Sequence, residues 1–402
     1  MRRFLIGITA MIIPIILLLL LVETALRINP SFIGIALLDR FPASLKSNIA
    51  RQLDLPTSAE FRVVSSVERY DKGPELLTPK PGARYMLPPE PADAAAGAIN
   101  YFEVDERGFC NQPGILMDGT PDVIVIGGSV PSCAGVDASG VFTTLLGPAS
   151  GLRTYDMTVG GVGPYEYVEV LRRFGLDLKP RMVIMAFSEA NDLRDCKRYE
   201  EHRAGHGRSS RLQRDWGWPF TSSYALSFLK AGVEVSVRSI KAGVGDDFTY
   251  SVEVLGKRQP MNIRNGDRDE LESARALAEG RLSVSICEPS LSAFVQLARE
   301  NKFVPVILAT PAAYTAYGKS VEFKTAGFGP LMKDFDEKQR AELAANAERI
   351  GYIFIDPVKD IQDKAVTLPL LFLPSNAHLT VAGHKLLAET VGPKLQQILD
   401  SL

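Results

Sequence analysis

Residues 122–130 read DVIVIGGSV, and the reading of this stretch decides the fold. Val123 to Ile126 predict a short strand, because a continuous apolar run bounded by turn residues suits the centre of a parallel sheet, buried on both faces. Gly127 and Gly128 let the backbone turn sharply. Ser129 then falls beyond the carboxyl end of the strand, where open α/β sheets bind their ligands. The same residues also fit a plain glycine-rich βα loop with an incidental serine, so the rest of the chain must decide.

On the C-terminal side, strands and helices alternate. Val141 to Leu146 suits a helix, Leu152 to Met157 a strand ending in the glycine-rich TVGGVGP, Tyr165 to Phe174 a helix, and Met182 to Phe187 a third buried strand. Later come a helix at Ser290 to Glu300, a strand at Val304 to Leu308, a helix at Glu337 to Ile350, a strand at Tyr352 to Ile355 and a last helix over Thr380 to Leu399. This rhythm argues for a parallel sheet with helices on both faces. An insertion at about 197–288 interrupts it. There, Leu226, Leu229, Val233, Val237 and Ile240 recur at helical spacing, and Phe248, Tyr250, Val252 and Val254 alternate before a turn at Gly256-Lys257. Insertions at the carboxyl ends of strands often cover a site and shape substrate choice.

On the N-terminal side, prolines punctuate residues 29–120 too often for long helices. Ala94 to Ala98, all small residues, predicts a loop; Ile99 to Val104 predicts a strand, and Asp105-Glu106-Arg107-Gly108 a turn. Arg2 and Arg3 precede Phe4 to Val22, 19 uncharged residues closed by Glu23. That length spans a bilayer as a helix, Pro14 is tolerated in such a setting, and the basic pair keeps its end cytoplasmic. A cleaved signal peptide is the competing reading. The organisation expected is an anchor at 1–28, an extension at 29–120 and a catalytic domain at 121–402. The protein is then single-pass, with that domain outside the cytoplasm and the membrane as partner.

The 402 residues carry 46% hydrophobic content and a formal net charge of -2, with no domain-wide basic excess, which excludes a nucleic-acid partner. Four cysteines in an exported chain permit disulfides. Cys133 and Cys196 each follow a proposed site loop and are potential neighbours. Cys110 and Cys287 have no such argument, so the pairing stays open, as do unpaired thiols. Trp216 and Trp218, the only tryptophans, suit a small core of the insertion or an aromatic surface for sugars or a membrane interface. Arg203, Arg208, Arg211 and Arg214 form a basic loop beside them.

The chain has four histidines, His202, His206, His378 and His384, so a base for Ser129 has few candidates. His202 and His206 form an H-x-x-x-H pair, but Gly205 weakens the helix a metal site there needs; no metal and no cofactor is expected. His378 stands in PSNAHLTVAGH just before the last helix, and His384 lies inside that helix.

These residues resemble the SGNH (GDSL-type) hydrolase superfamily across about 122–196 and 286–402. IGGSV with Ser129 matches the serine block, DMTVGGVGP the glycine block with Gly161 fitting better than Gly160 or Gly163, FSEANDL the asparagine block with Asn191, and NAHLTVAGHKLLAE the histidine block with His378. The four stand in the family's order. The resemblance implies a flavodoxin-like three-layer α/β/α fold. It further implies Ser129 as nucleophile, His378 as base, and an oxyanion hole of the Ser129 and Gly161 backbone N–H groups with the Asn191 amide.

The chain departs from the family in three places. The aspartate expected two or three residues before the histidine is replaced by Asn376 and Ser375, either of which can orient His378 but stabilises an imidazolium less. Another carboxylate, such as Asp356, can substitute. Gly128 stands for the aspartate of GDS, and Glu189 where the third block often has glycine. The expectation is an esterase acting on an acylated small molecule, glycan or lipid, with acetyl or acyl groups on a cell-envelope glycan or lipid foremost. Acyl transfer through the same acyl-enzyme, or an inactive binding protein that retains the fold, are the alternatives.

Overall fold

A computed structural model describes residues 2–33, 101–204, 222–243, 248–261, 266–376 and 378–401, with scattered stretches between 37 and 98. It divides into two units. One contains residues 1–60 and 208–246, the other 61–207 and 247–402.

In the first unit, a single helix runs Arg2–Ile28. The Glu23 carboxylate accepts hydrogen bonds from Ser223 Oγ and the Ala225 N–H, both 2.8 Å, and so caps the helix Tyr224–Gly243. Leu26, Ile33, Leu45, Ile49, Tyr224 and Ala231 form a small core. Ile13, Ile15, Ile16, Leu17, Leu18, Leu20 and Leu21 are exposed. The side chains of residues 1–12, which carry much of the expected anchor, lie outside the described residues. Among the described residues no helix is long and apolar enough to cross a membrane.

The second unit holds the sheets. From the extension, β1 (Phe61–Val64) pairs antiparallel with β2 (Leu76–Pro79), and β3 (Arg84–Met86) with β4 (Tyr101–Glu103). Next come β5 (Val123–Gly127), β6 (Thr154–Thr158) and β7 (Met182–Ser188), then the hairpin β8 (Tyr250–Val254) and β9 (Lys257–Met261). Last are β10 (Val304–Thr310), β11 (Val321–Phe323) and β12 (Ile353–Ile355). The central sheet has the order β12-β10-β7-β5-β6, all neighbours parallel. This is the 2-1-3-4-5 arrangement of flavodoxin-like sheets. Every residue of β5, β6 and β7 is buried, as a strand covered on both faces requires.

Helices cover those faces. The C-terminal helix Val381–Asp400 lies along Phe142–Ser150 so closely that a Cβ on Gly392 would sit 2.7 Å from the Ala149 carbonyl oxygen. Glu288–Asn301 packs on Pro164–Phe174 and Phe328–Ile350. The helix expected from Glu337 starts at Phe328.

The alternating stretch at 248–254 folds as expected, but its turn is Leu255-Gly256, both with positive φ (51° and 71°), a two-residue loop of the type that matches strand twist. β11 adds to this hairpin as a third strand. The expected loop at Ala94–Ala98 begins instead inside a short helix, Pro91–Ala95, where proline at the start and a run of alanines, the best helix formers, favour a turn of helix. The turn at Asp105–Gly108 closes through the Gly108 N–H to Asp105 carbonyl bond of 3.0 Å.

The cysteines pair as Cys110–Cys133 and Cys196–Cys287, with Cα atoms 6.1 and 5.2 Å apart. Cys133 and Cys196 are therefore not partners. The first bridge ties the extension to the segment after Ser129; the second ties the helix Asp192–Arg203 to the chain returning from the insertion.

Candidate active site

Three of the candidate residues follow neighbouring strands of the central sheet, and the fourth lies ahead of the last helix. β5 and β7 are neighbours although the chain visits β6 between them, so the topological switch point of the sheet lies at their carboxyl ends. Ser129 follows β5, Gly161 follows β6 and Asn191 follows β7.

Ser129 is half-buried, and its carbonyl accepts the Ser132 N–H at 3.2 Å and the Ser132 hydroxyl at 2.7 Å, which closes the turn. The glycine loop after β6 lies beside it, since a Cβ on Gly160 would be 3.6 Å from the Ser129 Cβ. Gly161 is exposed, has φ +80°, and would point a Cβ into open space, so its backbone is free to face a substrate. Gly163 serves packing: a Cβ there would meet the Asp195 Cβ at 2.5 Å.

Asn191 precedes the helix Asp192–Arg203, and its carbonyl accepts the Asp195 N–H at 3.0 Å. Its Oδ1 is buried without a hydrogen-bond partner among the described residues. Asp192, the first residue of that helix, ties it back to the strand and to the preceding helix: its Oδ2 accepts the Ser188 N–H at 2.9 Å and its Oδ1 accepts the Tyr167 hydroxyl at 2.7 Å. Burial pushes the Asp192 carboxyl well above its usual range, against those two hydrogen bonds. Glu189, the departure from glycine, is buried and pairs with Arg340 while also accepting the Ala312 N–H at 3.3 Å. It supports the neighbouring strand end rather than the site.

His378 sits in a small antiparallel turn. Leu373 N–H donates to the His378 carbonyl at 2.9 Å and Thr380 N–H to the Leu371 carbonyl at 2.9 Å. Thr380 caps the last helix through the Gly383 N–H, and Gly383 must be glycine because a Cβ would lie 2.1 Å from the Leu371 oxygen. Val130, the residue after Ser129, lines one apolar cavity with Leu371, Phe372 and Leu379, which sets the serine and histidine loops side by side. Among the described residues the Ser129 hydroxyl makes no hydrogen bond, and catalytic hydrogen bonds without substrate are often long until the complex forms.

Asn376 orients the histidine: its Oδ1 lies 2.8 Å from His378 Nδ1 and accepts the His378 backbone N–H at 3.0 Å. An amide oxygen can only accept, so Nδ1 carries the proton and Nε2 is left free as the base. Ser375 does not contact the ring through its hydroxyl, which is buried and has no partner among the described residues. Asp356 pairs instead with Arg340 at 3.4 Å. Behind Asn376 stands Asp93, buried at 1% exposure, which accepts the Asn376 Nδ2 at 2.7 Å and the Ser375 N–H at 2.8 Å. Burial pulls the His378 imidazole down to about 4, while the Asp93 charge pushes the other way.

His384 has a different setting. It is fully buried, its Nδ1 accepts the Phe142 N–H at 3.0 Å, and burial holds it down at about 3. His206, Trp216, Trp218, Arg208, Arg211 and Arg214 lie outside the described residues, as does the side chain of His202. Among the described residues no cluster of His, Cys, Asp or Glu could hold a metal ion.

Sequence reasoning missed Asp93 and Tyr167. The only hint of Asp93 was a single acid within an otherwise small-residue stretch.

No protein-family model and no curated protein matches the sequence. Solved structures similar to this chain include TesA (12% identity, 69% of this chain and 98% of that one, TM-score 0.37). Others are an acetyl xylan esterase, AlAXEase (14%, 67% and 97%, 0.31), and a GDSL-like lipase from Bacteroides thetaiotaomicron VPI-5482 (12%, 70% and 88%, 0.30). At these identities and TM-scores the likeness carries no argument by itself, and the fold rests on the strand order and register of this chain.

Proposed function

We propose that this chain is a serine hydrolase of the SGNH type that acts on O-acyl esters. The observation that carries the reading is the Asn376–His378 hydrogen bond, which leaves Nε2 of a half-buried, neutral imidazole free, on a loop packed against that of Ser129. In the proposed reaction Ser129 Oγ attacks the acyl carbon as His378 Nε2 takes its proton. The oxyanion is held by the N–H groups of Ser129 and Gly161 and the Asn191 amide. His378 then protonates the leaving alcohol, and water attacks the acyl-enzyme in a second half-reaction. Acetyl or acyl groups on a cell-envelope glycan or lipid are the substrates proposed, with residues 1–28 as the anchor. The apolar run Phe4–Val22 behind a basic pair supports that placement.

Labelling of the full chain with a fluorophosphonate, read by peptide mapping, tests the nucleophile. One adduct on Ser129, absent in Ser129→Ala and His378→Ala, is expected. A folded protein that takes no label at Ser129 overturns the hydrolase reading in favour of a binding protein.

A further inference from the structure

The carboxylate that a serine–histidine site ordinarily places against its imidazole is absent from the histidine loop, where Asn376 occupies the position. A neutral amide fixes the tautomer but does little to stabilise the imidazolium that forms when the serine proton arrives. Asn376 is not isolated, however. Its oxygen receives the two N–H groups of His378, and its nitrogen donates to Asp93 Oδ2 at 2.7 Å. Asp93 Oδ1 accepts the Ser375 N–H at 2.8 Å. Both ends of a buried carboxylate are thus directed at Ser375 and Asn376, just ahead of the histidine.

We propose that Asp93, carried by the N-terminal extension, is the acid of this site, acting on His378 one link removed through the Asn376 amide. This role rests on the hydrolase reading. Asp93 is a positioning residue: it touches neither substrate nor the reacting atoms. Its charge polarises the Asn376 amide so that the oxygen becomes a stronger acceptor for Nδ1–H, as linked hydrogen bonds reinforce one another. The proton taken from Ser129 resides on Nε2, and the Nδ1 proton stays on the ring. His384 also feels the His378 charge but is held neutral by burial, so the favourable charge comes from Asp93.

The geometry permits a test that separates charge from scaffolding. In the double variant Asp93→Asn, Asn376→Asp every hydrogen bond has a counterpart. The carboxylate, now at position 376, would receive both His378 N–H groups and the amide now at position 93, whose oxygen would still accept the Ser375 N–H. The charge alone moves next to the ring. Asp93→Asn alone leaves too few acceptors for the Asn376 and Ser375 donors. Asn376→Asp alone sets two carboxylates face to face.

The rate of fluorophosphonate labelling at Ser129 and the His378 titration midpoint, followed by nitrogen NMR of the full chain labelled in its histidines, are measured for all four proteins. Asp93→Asn is expected to slow labelling tenfold or more and to move the midpoint to lower pH. The double variant is expected to recover the wild-type rate or better, with a midpoint above that of the wild type. A purely structural role predicts that the double variant labels no faster than Asp93→Asn, and a midpoint unmoved by Asp93→Asn overturns the proposal outright. If wild-type Ser129 takes no label, the hydrolase reading fails while the midpoints still decide whether Asp93 acts on His378. Should Asp93→Asn not fold, the double variant against Asn376→Asp carries the same comparison.

Discussion

Gly128 has no side chain where Tyr167 places its hydroxyl: a Cβ on Gly128 would lie 2.6 Å from Tyr167 Oη. The space beside Gly128 is filled from the helix Pro164–Phe174, by a tyrosine that donates to Asp192 at 2.7 Å. The first prediction follows from this substitution of one residue's space by another's. Gly128→Ala should destabilise the wild type by about 1–3 kcal/mol, the usual effect of overpacking. It should cost less in a Tyr167→Phe background, where the clashing oxygen is gone. Chemical denaturation of the four proteins of this cycle measures the coupling; additive effects would refute the steric account.

Asn191 offers a cleaner separation of catalysis from stability. Asn191 Oδ1 makes no capping bond to the following helix and has no partner to lose among the described residues. Asn191→Ala should therefore lower kcat on a short acyl ester by about 10²–10³-fold, as removal of an oxyanion donor does, with the melting temperature close to that of the wild type. A large loss of stability with intact kcat would assign the residue to the scaffold.

The two C-terminal histidines should respond in opposite ways. His378→Ala should abolish labelling at Ser129 and leave the fold intact. His384→Ala should destabilise, because the buried Phe142 N–H loses its acceptor at a cost of about 1–3 kcal/mol. Thermal melts beside labelling rates on both variants check the division.

Acid should be tolerated by the chemistry better than by the fold. His378 acts as a base only when neutral, and its pKa of about 4 keeps it neutral well below the ordinary histidine range, so the acid limb of kcat/KM should fall near pH 4. The folded pKa of this histidine lies below its unfolded value of 6.5, so between pH 6.5 and about 4 the unfolded chain binds a proton that the folded chain does not. Stability is therefore complete above 6.5 and declines as pH falls through that window, by roughly 3 kcal/mol for a shift of this size. His384 acts in the same direction. Urea midpoints measured between pH 7 and 4 should fall accordingly, and less steeply in His378→Ala.

The bridge between Cys196 and Cys287 closes a span of 91 residues. Chain-entropy estimates put such a closure at about 4–5 kcal/mol, with measured values often lower. Replacing both cysteines by serine should lower stability by about 2–5 kcal/mol and loosen the helix that follows Asn191, with labelling at Ser129 slowed as well. Hydrogen exchange across Asp192–Arg203 reads the local effect.

The sheet was legible because its strands are apolar runs closed by turn residues, and burial on both faces demands that pattern. Ser129, Gly161, Asn191 and His378 could be put forward from sequence for a related reason: each stands where a strand ends or a helix starts, in short segments whose local chemistry is distinctive. Asp93 was not. Its role depends on a contact with a residue 283 positions away, and nothing in a stretch of alanines marks the one acid that meets it. The same stretch was expected as a loop because small residues without periodicity carry no signal of a buried face, yet a proline-led turn of helix formed there. The cysteine pairing was illegible for the same reason, since proximity in space between Cys110 and Cys133 arises from the extension folding back over the loop after Ser129.

That separation of 283 residues also sets a schedule. Asp93 leaves the ribosome well before Asn376, and a contact this long in sequence forms late because so much chain must first be ordered. A chain still being made carries the serine, the glycine loop and Asn191 without an oriented base. On the proposed reading, reactivity at Ser129 then arises only after the histidine loop has emerged and met Asp93, so a chain still being made is inert.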